Sequence, residues 1–231
     1  MSFFYLLLGH MIGDFILQTN TIAEKKLVDK KWTALHAGIV TLCMLMLSFP
    51  FGIWVVGAVF LNGVLHFYID LCKPWLAKRY PMSALTYFLL DQMAHVLLIV
   101  FISLLADEVP EFLPMDYELI KFLLVLSFIT SLSAVFNQFV LNAAFPRNNK
   151  KFFEKGEKPI GNATRIFITA SLYLSYRYSP FFLVFIALAM LLFIYQSNIH
   201  WNSWMTLEQL GAKIAMDVAV SFAGMILLLI G

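Results

Sequence analysis

The chain has 231 residues, of which 61% are hydrophobic and only 13% are charged. Soluble domains are about 45–50% apolar and about 25% charged, so this composition excludes an ordinary soluble domain and predicts a polytopic membrane protein. The net charge is +2 and no basic stripe occurs, which argues against a nucleic-acid partner. Cys43 and Cys72 lie in separate apolar segments without metal-binding spacing, and we interpret them as reduced packing residues.

Apolar stretches long enough to cross a bilayer follow one another along the chain. A spanning helix needs about 20 residues. The predicted fold class is therefore an all-α transmembrane bundle of about eight helices, or seven if residues 162–178 lie flat in the interface. The predicted helices are 2–19, 32–48, 53–72, 83–106, 116–144, two within 162–196 separated at Arg177–Pro180, and a last one from Thr206 to Ile230.

Two local signals fix several of these boundaries. Lys73 precedes Pro74, and the residue before a proline is disfavoured in the α region, so the third helix is predicted to end at Cys72. Ser83 is a candidate N-cap for the fourth helix, and Thr206 with Gln209 forms a capping box at the last one.

The hydrophilic residues 146–161 predict a basic cytoplasmic loop between a five-helix half, 1–145, and the C-terminal membrane helices, 162–231. Lys and Arg concentrate in alternate loops, and cytoplasmic loops are the basic ones. This places the N-terminus outside and the basic loops inside. The N-terminus lacks a basic n-region and a small-residue cleavage site, so we interpret it as the first spanning helix and not as a cleaved signal.

Three short repeats place a histidine and an aspartate four residues apart inside apolar sequence. Residues four apart share one helix face, so each pair projects together. Ionisable groups inside a membrane are costly and mark functional sites. His36, one turn into the second helix, joins them at the same depth near the cytoplasmic ends. The candidate metal ligands are His10, Asp14, His36, His66, Asp70, Asp91 and His95.

Imidazole and carboxylate ligands suit a divalent transition metal. Zinc is favoured, and iron, manganese or nickel also fit. Seven donors suit either two metals bridged by a carboxylate or one metal with supporting His–carboxylate partners. Asp14 and Asp91 are candidate general bases. The predicted supporting or substrate-binding residues are Gln18, Asn62, Lys73 and Gln92, although for Lys73 an interfacial anchor is favoured over substrate binding.

Each pair taken alone is more typical of polar contacts between helices or of a proton relay than of a metal site. Three pairs and His36 at one depth favour the metal site instead. Three residues of the fifth helix, Asn137, Gln138 and Asn142, are predicted to form polar contacts between helices. Lys213 and Asp217 are predicted to pair with each other. Small residues that allow close helix approach are predicted at Gly13, Gly38, Gly57 and Gly63.

Three functions are compatible with these residues. The first is a metal-dependent hydrolase that acts on a lipid-linked or small phosphate, ester or amide substrate at the cytoplasmic leaflet. The second is a transporter of metal ions or protons, which the apolar outer halves of helices one to four argue against. The third is a non-catalytic membrane scaffold. No GxSxG or S-x-x-K pattern supports a serine nucleophile.

The pattern His10-x3-Asp14-Phe15-x2-Gln18, then His36, His66-x3-Asp70-x2-Lys73 and Asp91-Gln92-x2-His95 resembles a bacterial membrane family, domain of unknown function 3307. The resemblance covers roughly the first half of the chain and implies the inner membrane of a bacterium. The second half resembles longer members only through Gly161 and Arg165, with Thr164 where those members tend to have Glu. More distantly, the chain is similar to inner-membrane proteins described as metal-dependent hydrolases.

Overall fold

The computed structural model describes residues 1–106, 113–145, 157–200 and 206–230, and within these ranges the chain is helical without a β-strand. The predicted all-α fold class is confirmed. The chain divides into two compact units, Met1–Ser127 and Phe128–Gly231. Most of the predicted loop 146–161 lies outside the described residues, so the division at that loop stays a prediction, as does the acidic loop at 107–111.

Among the described residues, the first unit contains six α-helices and the second contains four. In the first unit they are α1 (Ser2–Met11, continued by a π-helical turn, Ile12–Ile16), α2 (Asn20–Lys25), α3 (Lys30–Ser48), α4 (Ile53–Arg79), α5 (Ala84–Ser103) and α6 (Tyr117–Ser127). In the second unit, a π-helical turn (Phe128–Leu132) precedes α7 (Ser133–Ala144), α8 (Glu157–Arg177), α9 (Leu183–His200) and α10 (Leu207–Leu229).

Five helices in the described part of the chain are long and apolar enough to cross a membrane. Two further apolar helices, Ser2–Ile16 and Pro180–Leu191, are shorter than this criterion. The composition and these helices together indicate a membrane protein, whereas the count of seven or eight spanning helices stays a prediction. The five candidates are Lys30–Phe51, Ile53–Arg79, Ala84–Ser103, Tyr117–Ala144 and Leu207–Leu229.

Side-chain caps begin two of the helices where the sequence predicts them. The Oγ of Ser83 accepts a hydrogen bond from the backbone N–H of Thr86 at 3.0 Å, at the start of α5. Thr206 and Gln209 form both hydrogen bonds of a capping box at the start of α10. These bonds satisfy N–H groups that the first turn of a helix leaves without a partner.

Three predicted helix ends are wrong. α4 continues through Pro74 to Arg79 instead of ending at Cys72. Proline removes one helical hydrogen bond, but membrane helices tolerate an internal proline. In this turn Lys73 also forms ion pairs with Asp70 and Asp91. The first helix ends at Ile16 and not at residue 19, since Thr19 has extended backbone geometry and caps α2. α5 ends at Ser103 and not at residue 106.

α1 packs against α3 with almost no space between the two backbones. A Cβ added at Gly9 would lie 2.8 Å from the Cα of Met44, and one added at Gly13 would lie 2.6 Å from the Cα of Val40. Real Cβ atoms do not approach this closely, so both glycines are required for the contact. Gly13 is confirmed as a close-approach position, and Gly9 is a second one that the sequence prediction missed.

The other glycine predictions divide between one that is confirmed and two that are wrong. A Cβ added at Gly63 would overlap the Oγ1 of Thr41, so α4 also approaches α3 closely. At Gly38 and Gly57 an added Cβ would have no neighbour within 4 Å. Those two predictions are wrong, because neither residue faces another helix within the described residues.

The second unit contains a buried ionic cluster within its helices. The Nζ of Lys213 lies 2.9 Å from Oδ2 of Asp217, which confirms the predicted pair. Arg165 joins them, with its Nη1 donating to Oδ1 of Asp217 at 2.5 Å. The Nδ2 of Asn137 donates to the same Oδ1 at 3.0 Å, which confirms its predicted polar contact between helices. All four side chains are buried.

Candidate metal centre

The seven side chains predicted as ligands come together in the first unit, and we call this group the His/Asp cluster. α1 with its π-helical turn supplies two of them, α3 supplies one, and α4 and α5 supply two each. Six are buried and one, Asp91, is partly buried. The members of the cluster are His10, Asp14, His36, His66, Asp70, Asp91 and His95.

His36 lies at the centre of this cluster, and its Nε2 atom is surrounded by electron-rich atoms. Oδ1 of Asp14 lies 2.9 Å away and Nε2 of His66 lies 3.3 Å away. Oδ2 of Asp70 follows at 3.5 Å. A ring nitrogen carries at most one proton, so Nε2 of His36 can donate a hydrogen bond to only one of these three atoms. A cation at this point would be attracted by all of them.

The other histidine rings stack around this centre. The ring centroids of His66 and His95 are 4.3 Å apart, and those of His10 and His95 are 5.1 Å apart. Oδ2 of Asp14 lies 3.8 Å from Nε2 of His10, and Oδ1 of Asp91 lies 3.5 Å from Nδ1 of His95. Imidazole rings from α1, α4 and α5 therefore share one buried space.

Most of the nitrogen atoms in this space lack a hydrogen bond. Both nitrogens of His10 and of His95, and the Nδ1 atoms of His36 and His66, are buried without a hydrogen-bond partner in the described part of the chain. Buried polar groups are nearly always paired, because an unpaired one costs about 1–3 kcal/mol. Six buried nitrogen atoms of four histidines are therefore not engaged in hydrogen bonds with the described residues.

Two lysines engage the carboxylates at one side of the cluster. The Nζ of Lys73 forms ion pairs with Oδ1 of Asp70 and, at 2.8 Å, with Oδ1 of Asp91. The Nζ of Lys26 lies 3.0 Å from Oδ2 of Asp70. Lys73 thus contacts two carboxylates of the cluster. Lys26 was missed, because in the sequence it is one of several lysines in a polar, basic segment.

Of the three other predicted supporting residues, one forms hydrogen bonds with the cluster. The other two show none to it among the described residues. The Nε2 of Gln92 donates to Oδ2 of Asp14 at 3.2 Å and to Oδ2 of Asp91 at 3.1 Å. Gln92 therefore links two carboxylates from different helices. Asn62 is buried one turn away and donates to the sulfur of Met44. Gln18 is half-buried, and its Oε1 has no hydrogen-bond partner among the described residues.

Asp14 lies in the π-helical turn Ile12–Ile16 that continues α1. Single π-helical turns inside α-helices occur frequently at functional sites. The turn begins beside Gly13, where α1 approaches the backbone of α3 most closely. The close approach and the π-helical turn together place the Asp14 carboxylate against His36. No sequence signal predicted this turn.

Three members of the cluster fit a metal ion best. Asp14, His36 and His66 each offer one ligand atom, and these atoms all lie within 4.8 Å of one another. Tetrahedral zinc with bonds of about 2.0–2.2 Å separates its ligand atoms by roughly 3.3–3.5 Å. The His36–Asp14 and His36–His66 distances of 2.9 and 3.3 Å approach that spacing. The nitrogen and oxygen donors also suit a divalent transition ion.

Comparison with known proteins places the chain in one family. The model of the family described as "Protein of unknown function (DUF3307)" matches residues 2–120, just over half of the chain and almost all of the first unit. This range contains the whole His/Asp cluster. No curated protein and no solved structure matches the chain. By this match, and in agreement with the motifs of its first half, the chain belongs to the DUF3307 family.

Proposed function

We propose that the His/Asp cluster binds one divalent transition metal through Asp14, His36 and His66, and that the protein is a metal-dependent hydrolase. The observation that carries this proposal is the environment of Nε2 of His36. Three electron-rich atoms lie within 3.5 Å of this nitrogen. The nitrogen carries at most one proton and can donate a hydrogen bond to only one of them. Three protein ligands and one open position are typical of catalytic zinc.

The charges of the site favour one metal ion over two. Lysine ammonium groups already contact Asp70 and Asp91, which reduces their value as ligands. Asp14 is the carboxylate of the cluster without a lysine ion pair in the described residues. A single divalent ion balances the site better than two, because buried charge is costly unless it is paired.

The remaining side chains have roles that suit hydrolysis. A bound divalent ion would supply Lewis acidity and a water activated at about neutral pH. Asp91 is partly buried and has contacts to Lys73, Gln92 and His95 that fix its position. In this proposal Asp91 is the general base and Asp14 is a ligand. The rings of His10 and His95 lie beside these residues and complete the histidine packing of the site.

The membrane arrangement is part of the same proposal. Seven or eight helices cross a bacterial inner membrane, the N-terminus lies outside, and the site opens to the cytoplasmic leaflet. In support, the lysines that begin α3 and the basic residues that end α4 lie at one end of these two packed helices. Basic residues concentrate on the cytoplasmic side of membrane proteins.

A transport function has weaker support. A transit pathway needs polar or open space beyond the site. The core of the first unit next to the cluster is instead filled by buried apolar side chains, among them Tyr5, Leu6, Val55, Val59 and Ile99. These residues close the site on that side, which favours a pocket over a pore.

The direct test is elemental analysis of the full chain, purified in detergent without chelators. We expect about one zinc, iron, manganese or nickel ion per chain, and loss of that ion in His36→Ala. His200→Ala changes the chain's fifth histidine, which is outside the proposed ligand set, and is the control. Absence of metal from the wild-type chain, even after incubation with each ion, would refute the proposal and favour the scaffold.

A further inference from the structure

Two ammonium groups hold the two oxygens of one carboxylate at the edge of the His/Asp cluster. Lys73 contacts Oδ1 of Asp70, and Lys26 contacts Oδ2 of the same side chain at 3.0 Å. The two lysines come from separate elements, one following α2 and one within α4. We call the ammonium groups of Lys26 and Lys73 the clamp, because together they bind an anion through two of its oxygens.

The position of Lys26 is fixed by its main chain. Its carbonyl oxygen accepts a hydrogen bond from Oγ1 of Thr33 at 2.8 Å, and Thr33 is itself buried. The side chain of Lys26 is 11% exposed and that of Lys73 is 27% exposed. The clamp therefore lies at the accessible edge of a buried site. The segments that carry the two lysines also carry exposed basic residues, namely Lys25, Lys30, Lys31, Lys78 and Arg79.

The ammonium groups retain donors beyond those that Asp70 and Asp91 use. Each ammonium group has three N–H donors. The ion pairs in the site occupy one donor of Lys26 and two of Lys73. Three donors therefore remain for a second anion without breaking the contacts to the aspartates.

Charge balance indicates what that anion is. With neutral histidines, three carboxylates and two ammonium groups leave the site with one negative charge. A divalent ion would turn this into one positive charge, and an unbalanced buried charge is costly. A ligand with one negative charge completes the balance, whereas a neutral ester or amide does not.

We propose that the site takes a phosphodiester, bound through its two non-bridging oxygens by Lys26 and Lys73. This inference rests on the proposed metal centre. A phosphodiester carries one negative charge, and lysines beside a divalent ion are a recurring phosphate site. In the reaction, the oxygen of water bonds to phosphorus and one P–O ester bond breaks. Asp91 takes the proton from water and passes it to the leaving alkoxide, which gives a phosphomonoester and an alcohol.

The test compares two probes that differ by one ethyl group and one charge. Ethyl 4-nitrophenyl phosphate is an anionic diester, and diethyl 4-nitrophenyl phosphate is a neutral triester. Binding to the zinc-loaded full chain is measured by equilibrium dialysis, and 4-nitrophenol release is followed in parallel. We expect at least about tenfold tighter binding of the diester, as charge-assisted hydrogen bonds to an ionised group predict.

Variants assign this preference to the clamp. Lys26→Gln and Lys73→Gln should each weaken diester binding about tenfold and leave triester binding unchanged. Lys26→Arg keeps the positive charge and should therefore retain most of the affinity for the diester. Lys78→Gln changes an exposed lysine outside the clamp and should have no effect. Competition by dihexanoyl phosphatidylglycerol but not by dimethyl phosphate would identify a lipid headgroup, and the reverse would identify a soluble diester.

Metal content, measured on the same samples, separates the two proposals. One ion per chain with equal binding of diester and triester would overturn the phosphodiester inference and leave the metal centre standing. No metal would overturn both, because the site would then keep its negative charge. Diester binding that survives loss of both lysines would also contradict the clamp.

Discussion

The Nε2 atom of His36 lies 3.3 Å from the Nε2 atom of His66, and both side chains are fully buried. At this distance two neutral imidazoles can share one proton, and the Nδ1 atoms of both rings have no hydrogen-bond partner among the described residues. Two imidazole nitrogens that face each other next to a carboxylate match the donor set of a zinc site. The metal-binding behaviour of the chain should therefore depend on this pair and its neighbours.

The first prediction concerns the number of metal ions. His36→Ala, His66→Ala and Asp14→Asn each remove a proposed ligand and should lower metal affinity more than the roughly 10–100-fold that loss of a supporting residue costs. His10→Ala and His95→Ala should keep one ion per chain, as titration with zinc followed by elemental analysis would record. A fall from two ions to one in either of these two variants would instead favour a two-metal site.

The second prediction concerns the close approach of α1 to α3. Gly13→Ala places a methyl group 2.6 Å from the Cα of Val40, so the helices must separate and Asp14 must move away from His36. We expect lower thermal stability and lower metal occupancy. Gly38→Ala is the matched control, since its added Cβ has no neighbour within 4 Å. It should be neutral or stabilise the helix by up to about 1 kcal/mol.

Equal behaviour of these two glycine variants, in thermal unfolding and in metal content, would contradict the packing that places Asp14. Gly9→Ala offers an independent check at the neighbouring turn, because its Cβ would lie 2.8 Å from the Cα of Met44.

The third prediction separates catalysis from binding. Asp91→Asn should lower the rate of 4-nitrophenol release about 10²–10⁴-fold, the usual contribution of a general base, while the metal stays bound. Asp116→Asn is the matched control, because Asp116 is exposed and caps the start of α6 through its Oδ1. A full rate in Asp91→Asn would exclude Asp91 as the base, and loss of metal would make it a ligand instead.

The fourth prediction concerns the ionic cluster of the second unit. Asp217→Asn removes the carboxylate that Arg165 and Lys213 share, and breaking a buried ion pair costs about 3–5 kcal/mol. Chemical denaturation in detergent should detect this loss. The triple variant Arg165→Met, Lys213→Met, Asp217→Leu removes all three charges and should recover most of the stability. If it remains as unstable as the single variant, the cluster has a role beyond charge pairing.

The sequence predicted which histidine and aspartate side chains come together, because the signals for this are chemical and local. Charged and imidazole side chains at spacing four in apolar sequence identify one helix face, and alternation of helices brings His66 and His95 to the same depth. The ring centroids of these two lie 4.3 Å apart. The caps at Ser83 and Thr206 were predictable for the same reason, since each depends on residues three positions apart.

Features that depend on tertiary contacts were not predictable. No spacing or residue type in the sequence predicts the π-helical turn at Asp14, although Gly13 within this turn was predicted as a close-approach position. α4 passes Pro74 because Lys73 is held by Asp70 and by Asp91 on the next helix. Lys26 could be separated from neighbouring lysines only by its contact with Asp70, 44 residues away in the chain.

The most direct test of the metal centre is anomalous diffraction from crystals of the full chain grown with zinc, recorded on both sides of the zinc absorption edge. We predict one anomalous peak per chain, within bonding distance of Asp14 and of the Nε2 atoms of His36 and His66. A peak elsewhere, or none at full zinc saturation with His36 and Asp14 still hydrogen-bonded, would contradict the central claim that these residues form a metal centre.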